Sequence, residues 1–281
     1  MTTQQIRFCS SLDGVRIAYA LSGRGTPLAM SATWLGHLEH QWRSLAWRPW
    51  LEHFSRGRTL LRYDLRGTGM SDRCVANASI ENWVRDFAAV IDAAGFERFP
   101  LLGVCQGGPI AIEYAARYPE RVSQLVLYGT YARGMLLRTD MSKELAKAKV
   151  LLDMTRLGWG RENHAFMQVW ASLFQPGGGI EHLRSWTELQ RAATSPEYAL
   201  SFVDTTFHVD ARDARASRQV PDAGHTRRQR QGGAGRGRAP ARKPDSKFAI
   251  RRARERKSHA VARGGRVGAV PARSRAIFPE P

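Results

Sequence analysis

The stretch Phe99–Tyr118, FPLLGVCQGGPIAIEYAARY, limits what this 281-residue chain can fold into more than any other. A short apolar run, Phe99 to Val104, meets Cys105 in a Gly-x-Cys-x-Gly-Gly turn, and an amphipathic pattern of helical period follows at once. That order of signals predicts a strand, a sharp elbow and a helix. Gly103 and Gly107 stand two positions either side of Cys105, where β-carbons would collide in so tight a bend. The bend leaves the backbone N–H of Gln106 free at a helix N-terminus, a place that stabilises both a thiolate and a developing oxyanion. The same pattern on its own also suits a buried cysteine beside a glycine turn, so the flanking sequence has to decide.

The flanks supply alternating elements. Ile6–Ser11 and Val15–Ser22, separated by Leu12-Asp13-Gly14, read as a hairpin. Pro27–Ala32 is a third apolar run leading into Thr33-Trp34-Leu35-Gly36, and Leu38–Phe54 has helical spacing with Trp42, Leu45, Trp50 and Phe54 near one face. Thr59–Tyr63 is a further strand, Ser79–Ala94 a helix striped by Trp83, Phe87, Val90 and Ile91, and Val122–Tyr128 a buried strand after the elbow helix. Strands alternating with helices predict an α/β fold with a mostly parallel sheet covered on both faces. From Gly134 onward the pattern turns helical: Met141–Leu157, Ala165–Phe174, Ile180–Ala193 and Pro196–Phe207. Such a block after the sixth strand predicts a lid over the elbow, with Trp159, Phe166, Trp170, Phe174 and Trp186 packing it.

With these elements in hand, YDLRGTGMSD, LLGVCQGG and YPERVSQLVLYGT resemble the α/β-hydrolase superfamily, and residues 1–210 follow its order. RLGWGRENHAF and SWTELQRAATSPE are similar to bacterial hydrolase-like domains that occur alone or fused to adenylate cyclases and helix-turn-helix regulators. The resemblance implies an α/β-hydrolase fold with a helical lid and Cys105 as nucleophile at a nucleophile elbow, cysteine in this place resembling dienelactone hydrolases. It also implies two oxyanion donors, the backbone N–H of Gln106 and that of Trp34. A histidine base and an orienting carboxylate belong after a seventh and an eighth strand, which should fall between residues 214 and 281.

Those strands cannot be read there. From Ala211 to the end the chain has 20 Lys and Arg against 5 Asp and Glu, no Trp or Tyr, and only Phe248 and Phe278 as aromatics, although all eight tryptophans lie at or before Trp186. A segment of that composition cannot build a core like the rest. The reading therefore divides the chain into a core at 1–133 holding the first six strands, a helical lid at 134–210, and a basic low-complexity tail at 211–281, disordered and with the C-terminal strands missing. Back-translated and read one base later, Arg218–Thr226 permits a strand-like Val-Lys-Cys-Pro-Thr-Leu-Val-Ile-His. The same shift permits an aspartate in the slot of Arg230 and a histidine in the slot of Ser258, so a frameshift near residues 210–217 is the expected origin of the tail.

Among the histidines as written, His225 and His259 lie in the tail, His208 ends the lid, and His37 and His40 read as surface or helix residues. Asp64, Asp72 and Asp86 read as turn and helix hydrogen-bond partners. Cys9, Cys74 and Cys105 are far apart and lack metal-ligand spacing, which fits a reducing, cytoplasmic setting. The opening MTTQQIRF has no basic segment followed by an apolar run, and no stretch approaches ~18 uninterrupted apolar residues; no membrane partner is expected.

Three functions follow in order. The first is hydrolysis of an ester, thioester or lactone through Cys105, impaired here by loss of the triad acid and histidine, on a small-molecule acyl substrate and with no metal or organic cofactor. The second is a non-catalytic, ligand-sensing module. The third takes RRQRQGGAGRGRAPARKP at face value as a nucleic-acid arm, although GC-rich DNA read out of frame yields the same residues.

Overall fold

The computed structural model describes residues 3–75, 78–138, 141–160 and 165–212. All of them fall in one contact unit. Residues 213–281 of the basic tail lie outside them, and with these its expected frameshift and disorder, the nucleic-acid arm, the expected seventh and eighth strands, His225 and His259; Ala211, placed in that tail by the sequence, is instead buried, with its N–H donating to the Ala132 carbonyl at 2.8 Å.

Six strands form one sheet: β1 Gln4–Ser10, β2 Arg16–Ser22, β3 Thr26–Met30, β4 Arg58–Tyr63, β5 Phe99–Val104 and β6 Val122–Tyr128, in the order β1-β2-β4-β3-β5-β6. The hairpin β1–β2 is antiparallel and β2 meets β4 antiparallel, while β4, β3, β5 and β6 pair parallel. Successive residues of β2, β4 and β5 are buried rather than alternate ones. Side chains of a strand alternate between faces, so unbroken burial means that both faces are covered.

The expected helix over Leu38–Phe54 is two helices, α1 Leu38–Arg43 and α2 Arg48–Ser55. Ser44 turns extended at the end of α1, and Pro49 sits in the first turn of α2, where its missing N–H costs nothing. The break rotates the two halves apart: Leu51 and Phe54 are buried, but Leu45 is exposed and Trp42 and Trp50 are only half-buried. Helix α3, Ile80–Ala94, starts at Ser79, whose hydroxyl accepts from the Asn82 N–H, and ends at Gly95 in the left-handed region. Its Trp83, Phe87, Val90 and Ile91 are fully buried. Helix α4, Gly107–Arg117, lies beside α3 and packs on β5 and β6.

The helical block follows β6: α5 Met141–Gly158, α6 Ala165–Phe174, α7 Ile180–Ala193 and α8 Pro196–His208. Trp159, Trp170 and Trp186 are buried in it, and no helix among the described residues is long and apolar enough to cross a membrane.

Candidate active site

The elbow forms where the sequence demands close backbone approach. A β-carbon on Gly103 would lie 2.9 Å from the Ala111 and Leu127 side chains, so any other residue would push α4 off the sheet. One on Gly107 would run into Ser31 and lie 2.6 Å from the Ala32 carbonyl oxygen. Cys105 sits between these glycines at φ 51°, and it is the one non-glycine residue with positive φ among the described residues. A side chain in that region is strained and persists only where its surroundings hold it. They do so here: the Cys105 N–H donates to the Tyr128 carbonyl at 3.1 Å, and the Cys105 carbonyl accepts from the Gly108 N–H at 3.2 Å and from the Thr130 hydroxyl.

The Gln106 N–H points to the Cys105 sulfur, and that contact opposes a larger effect of burial, which pushes the thiol above its ordinary value. Burial thus works against the stabilisation of a thiolate that the sequence pattern leads one to expect from the helix terminus. Next to the elbow, the Tyr131 hydroxyl donates to Oε1 of Gln106.

Trp34, the second expected donor, lies in the loop between β3 and α1 and is 7% exposed. Its indole Nε1 donates to Gln190 Oε1 at 2.5 Å, and Gln190 Nε2 returns a bond to the Leu35 carbonyl at 3.1 Å. Its ring centroid lies 5.4 Å from Trp170, 4.9 Å from Phe174 and 5.2 Å from Phe202. Three helices of the block thus fix the loop whose backbone would face the oxyanion. At its far end the loop is fixed by Asp64, which accepts from the Leu38 N–H at 3.1 Å and the Met70 N–H at 2.9 Å. Burial pushes the Asp64 carboxyl up to about 6, the Met70 and Leu38 amides and the Arg62 charge working the other way.

The other acids expected in turns and helices are engaged there. Asp72 accepts from the Arg16 N–H at 2.8 Å, and buried Asp86 holds Arg66 through contacts of 2.6 and 2.8 Å, with Asp13 on the other side of the guanidinium. His37 stacks edge-on to His40 at 4.7 Å and is lowered to about 4 by burial and then by that neighbour. His208 is exposed at the end of α8, with Nδ1 2.9 Å from the Asp204 carbonyl. No histidine is among the partners of Cys105 in the described residues. Thr130 and Tyr131 were not singled out from the sequence; YGTYAR follows β6 directly, and strand ends are where site residues of a parallel sheet collect.

The family described as the alpha/beta hydrolase fold matches residues 34–203. The chain belongs to that family. RutD of Azorhizobium caulinodans, named for carbamate hydrolysis, is 37% identical over 115 residues, 41% of this chain and 41% of its own length. The 2-hydroxymuconate semialdehyde hydrolase of Pseudomonas sp. CF600 is 35% identical over 118 residues, 42% of this chain and 41% of its own. The chain thus spans about two-fifths of the length of these curated relatives. Among solved structures, an esterase of Exiguobacterium antarcticum superposes with a TM-score of 0.61 at 23% identity, over 75% of this chain and 76% of its own, which is a likeness of fold.

Proposed function

We propose that the protein descends from a hydrolase of esters, thioesters or lactones in which Cys105 is the nucleophile. The observation that carries this reading is the strained left-handed backbone of Cys105 between two glycines that no larger residue could replace. The Cys105 sulfur, once deprotonated, adds to the acyl carbonyl, and the backbone N–H groups of Gln106 and Trp34 hold the resulting oxyanion. Collapse expels the alcohol or thiol and leaves an acyl-thioester at Cys105, which water then cleaves. The names of the relatives, hydrolases of small molecules, support an acyl substrate of that size. The helical block would act as the lid, since Trp170, Phe174 and Phe202 hold the oxyanion loop through Trp34.

The proton of Cys105 needs an acceptor, and burial raises the demand. On this reading the acceptor is the histidine encoded one base out of frame at the slot of Ser258, with its aspartate at the slot of Arg230, and the chain as written is impaired. Loss of a triad's base costs several orders of magnitude in rate. Sequencing the gene across codons 205–265 tests the shift, and a verified frame encoding this tail ends it. Restoring the frame should raise p-nitrophenyl ester turnover by at least about 10³-fold, and Cys105→Ala should abolish the gain. Turnover that survives Cys105→Ala overturns the nucleophile.

One observation favours a second reading, a ligand-sensing module without chemistry. The Cys105 thiol is held toward its protonated form and has no histidine partner among the described residues. Binding of an acyl ligand without turnover in the frame-restored chain would select it.

A further inference from the structure

Two neighbouring bonds fasten the segment after β6 to the elbow. The Thr130 hydroxyl donates to the Cys105 carbonyl, and the Tyr131 hydroxyl donates to the side-chain oxygen of Gln106. Tyr131 is held in turn, with the Arg138 guanidinium 5.4 Å over its ring. The Gln106 carboxamide is thereby oriented with its oxygen used and its nitrogen not: the residue is 2% exposed, and Nε2 is buried without a hydrogen-bond partner. A buried amide N–H without an acceptor is costly, and most such groups in folded proteins are paired. Gln190, also buried, uses both ends of its amide, on Trp34 and on Leu35.

Resting on the hydrolase reading above, we propose that Nε2 of Gln106 is a specificity donor for an oxygen acceptor carried by the acyl chain next to the scissile carbonyl. The preferred substrates are then alkoxy-, hydroxy- or keto-acyl compounds rather than plain alkanoyl ones. One residue supplies two donors, its backbone N–H to the oxyanion and its carboxamide to the chain beyond. An acyl group lacking that oxygen leaves the amide unpaired in a closed site, the circumstance in which discrimination by a single polar atom is large.

Two chloromethyl ketones test this without needing turnover: 1-chloro-3-methoxypropan-2-one and 1-chloropentan-2-one, of equal length with oxygen in place of one methylene. In each case the Cys105 sulfur displaces chloride and forms a C–S bond, read by mass spectrometry of the Cys105 peptide at alkaline pH. Comparing the ratio of the two labelling rates between variants cancels the intrinsic reactivity of the ketones. In Gln106→Met the methoxy preference should fall by about tenfold, the worth of one good hydrogen bond. Gln106→Glu keeps an acceptor for Tyr131 but presents no donor, and should lose the preference as well. Tyr131→Phe, which unlocks the carboxamide and spares the elbow, should lose about threefold. An unchanged ratio in all three overturns the proposal, as does failure of either ketone to alkylate Cys105 in the native chain. Failure of the hydrolase reading is distinct: the ratio falls as stated, but the frame-restored chain binds esters without cleaving them, leaving Gln106 a ligand contact of a sensor.

Discussion

Strands β5 and β6 lie side by side in parallel register, with Leu102 opposite Val126 and Val104 opposite Tyr128, yet they meet different surroundings. Leu102 and Val104 are 3% and 8% exposed, whereas Val126 and Tyr128 are 40% and 42% exposed. The two sequences are equally apolar, LLGV and LVLY, so composition does not separate them. β6, read from its sequence as a buried strand, is buried at Val122 but exposed at Ser123, Gln124, Val126 and Tyr128; apolar composition marks a strand suited to cover on both faces without fixing how much cover its neighbours supply. The elbow draws on both strands: β5, α4 and the β3 loop enclose it, and β6 and the segment after it hold Cys105 through the Tyr128 carbonyl and the Thr130 hydroxyl.

The contrast can be broken most strongly at the ion pairs. Arg66 and Asp86 are 2% and 0% exposed, so Asp86→Ala leaves a buried guanidinium with the more exposed Asp13 as its carboxylate partner and should cost roughly 3 kcal/mol by urea unfolding. Arg121 and Asp92, beside the start of β6, are 21% and 46% exposed, and Asp92→Ala should cost under about 1 kcal/mol. Equal losses would erase the distinction between the two sides. Next in size, Leu102→Ala should destabilise by roughly 2–5 kcal/mol by leaving a cavity.

A pH dependence sharpens the same contrast on the covered side. Asp64 is raised from the ordinary 3.8 to about 6 by burial, so the folded chain binds a proton between those values that the unfolded chain does not. The stabilisation belongs to the protonated form, present in full below about pH 4 and lost as pH rises through about 6. Asp64→Asn should remove this slope, worth up to about 3 kcal/mol between pH 4 and 7. Urea midpoints of the wild type and variant that run parallel across that range would contradict it. Smallest of all, Val126→Lys on β6, the last strand of the sheet among the described residues, should change stability by less than about 0.5 kcal/mol and reduce aggregation followed by light scattering, because a charge on such a strand discourages pairing.

Much of this was legible in the residues, for reasons that differ by element. Gly103, Cys105 and Gly107 announced the elbow because only that spacing lets a strand turn directly into a helix packed on it. Helix α3 was readable from Ser79 to Gly95 because its cap, stripe and stop all agree. The break between α1 and α2 was missed because Trp42, Leu45, Trp50 and Phe54 keep helical period straight through it, while Ser44 and Pro49 do the breaking locally. Tyr131 on Gln106 and Trp34 on Gln190 were invisible because each joins residues that only the fold brings together, 25 and 156 positions apart. The thiol's raised affinity for its proton was likewise hidden, since burial comes from the packing of segments distant in sequence rather than from the turn itself.

Exposure of the frame-restored chain to p-nitrophenyl acetate, followed by acid quench and peptide mass spectrometry, interrogates the sulfur at the bend directly. An acetyl group on the Cys105 peptide, absent in Cys105→Ala, is the predicted result. An acetyl group on another residue, undiminished in Cys105→Ala, would contradict it.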